Sequence, residues 1–181
     1  MPIEIDIQLE DLRLGGLRWG VGNANRILAV HGWLDNAASF QFLAPLLAAH
    51  DCDVIAIDLA GHGNSQHRPR GASYHLVDYM REVHLVLDEL KWSKPILLGH
   101  SLGGIIASML CAAAPERVAK LIMLESVGPL TSTESDTASN LQRALTRVLK
   151  KNTAKRIYKS IDEAVTDRLR GFGQLSSQAS F

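Results

Sequence analysis

One serine set among close-spaced glycines, in Gly99-His100-Ser101-Leu102-Gly103-Gly104, constrains this chain more than any other stretch. An apolar run from Pro95 to Leu98 leads into it, and a helix-like run from Ile105 to Ala114 leaves it. That pattern predicts a strand, a very tight turn and a helix, with Ser101 held out above the end of the strand. Side chains two places before and after the serine would collide in such a turn, and Gly99 and Gly103 have none. The first turn of the helix then lies beside the hydroxyl, where its free N–H groups favour developing negative charge. A serine that merely caps a helix is the plainer reading; the flanking strand and helix favour the elbow.

The rest of the chain alternates in a way that suits such a unit. Ile3, Ile5, Ile7 and Leu9 alternate with Glu4, Asp6, Gln8 and Glu10, the period of a half-buried strand. Leu12 to Trp19 reads as its antiparallel partner, with Gly15 and Gly16 marking a turn or a bulge. Arg26 to His31, Asp53 to Asp58, Pro95 to Leu98 and Val118 to Leu124 are short, nearly continuous apolar runs, as strands buried on both faces require. Helical spacing falls between them. It runs from Ser39 through Phe40, Leu43, Leu46 and Leu47, from Tyr74 to Leu90, and after the elbow until Pro115. Alternation of this kind predicts an α/β fold, a mostly parallel sheet with helices on both faces. Chemistry in such sheets collects at the carboxyl ends of the strands, where His31-Gly32-Trp33, Asp58, Ser101 and Glu125 all fall.

The pattern changes near residue 130. Residues 1–130 hold 10 basic and 14 acidic side chains, whereas 131–181 hold 9 and 5. The expected division is therefore a break in character near residue 130, between 1–130 and 131–181. In the second part Leu141, Leu145, Val148 and Leu149 mark an amphipathic helix. A short helix around Ile157 and another from Ile161 to Leu169 are expected, with 171–181 frayed. A net charge of zero points to neither nucleic acid nor a membrane as a partner, and no metal or cofactor motif is read. Met1-Pro2-Ile3-Glu4 does not resemble a signal peptide and no apolar run is long enough to span a bilayer, so a cytoplasmic location is expected. Cys52 and Cys111 fit buried free thiols of a reducing compartment, with a disulfide or a reactive thiol as alternatives.

Three motifs in order now carry a resemblance: His31-Gly32-Trp33-Leu34-Asp35-Asn36, Asp58-Leu59-Ala60-Gly61-His62-Gly63-Asn64-Ser65, and the elbow at 99–104. Together they resemble the α/β-hydrolase superfamily, most closely its serine hydrolase-like proteins near the epoxide hydrolase and haloalkane dehalogenase branch. The resemblance covers 1–130 and extends into 131–170 as the start of a cap, which makes 1–130 a hydrolase core and 131–181 a partial helical cap. It implies a sheet with about two further parallel strands after the cap, so the chain is expected to be the N-terminal part of a hydrolase fold, truncated after the sixth strand. The Val118–Leu124 strand would then present an open apolar edge, suited to self-association.

Ser101 is the candidate nucleophile, which would attack an ester-like carbonyl of a small-molecule substrate to form an acyl-enzyme. The dehalogenases and epoxide hydrolases of this fold carry Asp in the elbow, so a serine argues for ester, thioester or related acyl chemistry. The Leu102 N–H is a candidate oxyanion donor, and the resemblance implies the Trp33 N–H as the second. The Trp33 side chain also reads as a pocket wall. His31 is read as shaping the oxyanion loop, with a base as the alternative, and the resemblance assigns Asp58 and His62 to supporting the 61–65 loop. Gly32, Gly99, His100 and Gly103 are supporting positions, with His100 expected to turn to the other side of the strand. Glu125 is either the triad acid or a carboxylate that ties down the cap's hinge.

One departure outweighs these details. The expected order is Ser, acid, His, yet all seven histidines (31, 50, 62, 67, 75, 84 and 100) precede Ser101. A serine without a base is a poor nucleophile at neutral pH. Three functions are then open, in order: an acyl hydrolase represented by an incomplete chain with little turnover of its own, a non-enzymatic hydrolase-like binding module, and a site completed by a partner's histidine.

Overall fold

In a computed structural model of the chain, residues 1–129, 131–149 and 157–171 are described. Met1–Pro129 forms one compact unit and the remainder a second. The first unit contains six strands: β1 (Ile3–Gln8), β2 (Arg13–Trp19), β3 (Asn25–Val30), β4 (Cys52–Ile57), β5 (Ile96–His100) and β6 (Lys120–Leu124). They form one sheet in the order β1-β2-β4-β3-β5-β6. β2 is antiparallel to both β1 and β4, while β4, β3, β5 and β6 run parallel. This is the α/β-hydrolase arrangement expected from the sequence.

Successive side chains on a strand point to opposite faces, which explains the unbroken apolar runs. Leu28, Val30, Ile55, Ile57 and Leu97 face one core, packed by Val83 and Leu87 of α2 (Leu76–Glu89) and Ile106 and Leu110 of α3 (Leu102–Ala113). Ile27, Ala29, Val54, Ala56 and Leu98 face the other, with Trp19, Phe40 and Ala44. Ala44 belongs to α1 (Leu43–Ala49), a short helix preceded by a 3-10 turn at Ala37–Phe40.

The expected Ser39 helix is therefore two pieces, and Leu46 is not on its buried face but 64% exposed. Tyr74 lies before α2, not in it. β6 is not buried on both faces: its residues alternate between exposed and half-buried, with Ile122 and Leu124 outermost. It has β5 on one side and, among the described residues, no strand on the other. Cys52 and Cys111 are free and half-buried, and burial pushes the Cys111 thiol up.

The second unit contains α4 (Thr137–Leu149) and α5 (Ile161–Gly171), each close to its predicted range. Leu141, Leu145 and Leu149 are exposed along α4; the side chain of Val148 lies outside the described residues. Ile157 and Tyr158 are not helical; of the end expected to be frayed, 171–181, Gly171 closes α5 and residues 172–181 lie outside the described residues. No helix among those described is long and apolar enough to cross a membrane.

Candidate active site

The sheet order brings together what the sequence separates. The chain runs from β3 to β4 on one side and then crosses to β5 on the other. The crevice beyond the carboxyl ends of β3 and β5 is therefore the switch point where open α/β sheets hold their sites. His31-Gly32-Trp33 leaves β3 at this point, and Ser101 leaves β5.

Ser101 has φ +47° and ψ −112°, a conformation that side chains avoid, between the last residue of β5 and the first of α3. Its N–H donates to the Leu124 carbonyl at 2.9 Å, and its carbonyl accepts from the Ile105 N–H at 3.1 Å. The turn is tight enough that a Cβ on Gly99 would lie 2.4 Å from the Gly104 Cα, and one on Gly103 2.0 Å from the Val30 carbonyl oxygen. Gly104 is equally constrained, because its Cβ would meet Ser126 Cβ at 2.7 Å. The Leu102 N–H opens α3, so the helix itself gives it no acceptor.

The loop after β3 lies against this elbow. A Cβ on Gly32 would stand 3.0 Å from His100 Nδ1 and 3.5 Å from Ser101 Cβ, so glycine allows the close approach. Trp33 is 58% exposed, and its ring meets His62 edge-on at 5.4 Å. Leu34 takes φ +59°, and its N–H donates to His62 Nε2 at 3.3 Å.

Buried polar groups hold both loops. His31 is wholly buried; its Nδ1–H donates to the Gly32 carbonyl at 2.7 Å and its Nε2 accepts from the Leu59 N–H at 2.9 Å. Both nitrogens are occupied in the neutral ring, and burial pushes its pKa down to about 4. Asp58 accepts from the Ala37 N–H at 2.6 Å through one oxygen and from the Asn64 N–H at 2.8 Å through the other. Gly63 passes so close that a Cβ there would sit 2.2 Å from Asp58 Oδ2. Ser65, which sequence reasoning left without a role, donates to the Asp58 carbonyl and accepts from the Gly15 N–H. Only its place at the end of the Asp58–Ser65 motif hinted at this.

The His100 ring stands near Gly32, 3.0 Å from where a Cβ there would be, with Nε2 3.4 Å from Glu125 Oε2. Glu125 follows β6 with φ +50° and an 86% exposed side chain. Ser126, also unforeseen, buries its hydroxyl with no hydrogen-bond partner among the described residues. No metal-binding cluster occurs among those residues. A hollow of about 780 Å³ lies elsewhere, between Leu9–Leu12 and the start of α2, and none of the motif residues lines it.

This geometry can be set against known proteins. Residues 25–157 match the family model described as alpha/beta hydrolase fold. A serine hydrolase-like protein of Dictyostelium discoideum is 38% identical over 154 residues, covering 84% of this chain and 42% of that protein. A crystal structure of a hypothetical protein from Pseudomonas aeruginosa PAO1 is 38% identical, with a TM-score of 0.91 over 98% of this chain and 62% of that one. The thioesterase domain from the curacin biosynthetic pathway is 26% identical, with a TM-score of 0.84 over 99% of this chain and 65% of that one. This chain thus spans under half of the curated relative's length and less than two thirds of either solved structure. A family model that covers most of the chain, on a sheet with the elbow at its switch point, leaves one assignment: the chain belongs to the alpha/beta hydrolase fold family.

Proposed function

We propose that this chain carries the nucleophile and the oxyanion loop of a serine hydrolase acting on a small carboxylic ester, thioester or similar acyl compound. The observation that carries the reading is the left-handed Ser101 at the exit of β5, beside the start of α3 and the Gly32 loop. Ser101 Oγ would attack the acyl carbonyl, and the Leu102 and Trp33 N–H groups would receive the oxyanion. The likeness to a thioesterase domain supports acyl chemistry. His31 is a poor base, because both nitrogens are engaged and the ring stays neutral. Glu125 is a candidate for the acid that would orient the imidazole serving Ser101.

A fluorophosphonate, with labelling mapped by mass spectrometry, tests this. The chain by itself is expected to label slowly at Ser101 and to turn over p-nitrophenyl esters little. Labelling is expected to vanish in Ser101→Ala. Fast labelling lost in that variant would mean that a base is already in place. Labelling equal in the folded and urea-unfolded chain would mean that the elbow does not prepare the serine.

A further inference from the structure

Two residues in left-handed conformation stand side by side at the site. Ser101 follows β5 and Glu125 follows β6, with φ +47° and +50°. The strands are paired in register, His100 opposite Leu124, and the Ser101 N–H closes the ladder on the Leu124 carbonyl. A positive φ is costly for a residue with a side chain, and nothing in the parallel pairing itself demands one at Glu125. Ser126 lies against Gly104, and the Glu125 carboxylate stands 3.4 Å from His100 Nε2.

The other ring nitrogen of His100 lies over Gly32, at 3.0 Å from where a Cβ would be. Gly32 supplies half of the peptide unit whose N–H belongs to Trp33, the proposed second oxyanion donor. The imidazole therefore stands between the Glu125 carboxylate and the side-chain space of Gly32, next to that peptide. We infer that His100 and Glu125 form a positioning pair: Glu125 orients the imidazole, and the imidazole holds the Gly32–Trp33 peptide in place beside Ser101. The inference rests on the hydrolase reading for its purpose. The pair is partly open to solvent, with His100 33% and Glu125 86% exposed, so it contributes orientation rather than stability. His100 here acts through the loop and takes no proton from Ser101.

A double-mutant cycle on the full chain tests the pair, with His100→Ala, Glu125→Ala and both together. The readout is amide hydrogen exchange at Leu34 and Asp35, whose N–H groups bond His62 Nε2 and the Gly32 carbonyl. Exchange across α2 reports overall folding. Each single variant is expected to speed exchange in the loop roughly fivefold with α2 unchanged, and the double variant is expected to add nothing further, as for coupled residues. His100→Gln, which keeps an N–H toward Glu125, is expected to restore the native rate. Fully additive effects, an unchanged loop in His100→Ala, or failure of His100→Gln to restore would each overturn the pair. The nucleophile reading is decided separately by labelling in Ser101→Ala, so the two ideas fail on different measurements.

Discussion

Asp58 joins the Ala37 N–H to the Asn64 N–H through its two oxygens, at 2.6 and 2.8 Å, while 3% exposed. A single buried carboxylate thereby fastens the loop after β3 to the loop after β4. Hydrogen bonds to a charged group are worth about 1.5–3 kcal/mol each, and a donor left facing a donor adds desolvation cost. Asp58→Asn turns an amide NH2 toward one of the two N–H groups. It is expected to lower stability by about 2–4 kcal/mol, read from urea unfolding.

His31 predicts a pH dependence with a definite sign. Its folded pKa, about 4, lies below the ordinary 6.5, so the unfolded chain takes up the proton first. The stability it supports is complete above pH 6.5 and falls as the pH drops from 6.5 to about 4. The shift corresponds to about 3 kcal/mol. Urea midpoints measured across that window are expected to show the loss, and His31→Gln is expected to remove this part of the slope. An equal slope in both proteins would assign the effect to another group.

The glycines separate into two kinds. Gly103→Ala would place a methyl 2.0 Å from the Val30 carbonyl oxygen, backbone that cannot swing aside. That change is expected to cost more than about 3 kcal/mol or to prevent folding. Gly22 has φ +87° but open space around it, so Gly22→Ala is expected to cost only about 1 kcal/mol from backbone conformation. Thermal unfolding of the two variants distinguishes steric from conformational demand.

Arg68 lies between the rings of Tyr74 and Tyr79, 4.6 and 4.5 Å from their centroids, and pairs with the buried Glu82 at 2.7 Å. Burial pushes the Glu82 carboxyl up, while Arg68 pulls it back. Arg68→Leu strands that carboxylate and is expected to cost about 3–5 kcal/mol. Adding Glu82→Leu is expected to recover most of the loss, in the same urea assay, because no buried charge then remains.

For β6 we propose self-association of the chain, since Ile122 and Leu124 are exposed on a strand that, among the described residues, is paired on one side alone. Sedimentation velocity is expected to show a concentration-dependent shift that Ile122→Lys suppresses. A monomer at all concentrations would discard the idea.

Much of this was legible in the chain. The elbow was readable because its geometry admits few residue types, and Gly99 and Gly103 satisfy it. Three of the parallel strands, β3, β4 and β5, were readable because burial on two faces favours unbroken apolar runs, whereas β6, apolar in sequence, is exposed on one face. Other features depend on contacts distant in sequence. Nothing local distinguishes Leu46, which is exposed, from Leu47, which packs on the core. The role of His31 required knowing that Leu59 would come within reach of its far nitrogen. Glu125 carries no local sign of its left-handed turn, since glycine or asparagine would be the usual residue there. Nothing local marks Arg68, and only the packing of Tyr79 and Glu82 of α2 around it makes it a keystone.

The β3–β5 pairing has a consequence for the order of events in folding. Val30 and Gly99 are register partners across that seam, and the whole β4–α2 segment must be closed off before they meet. Long loops of this kind are costly to close and form late. The β1–β2 hairpin is a local contact and can exist much earlier. A chain caught part-way, with hairpin and helices formed but β5 undocked, has Ser101 and the Gly32 loop on separate pieces. On the nucleophile reading proposed above, reactivity at Ser101 would be a sensor of finished folding, lost on partial unfolding while most of the helical signal is still intact.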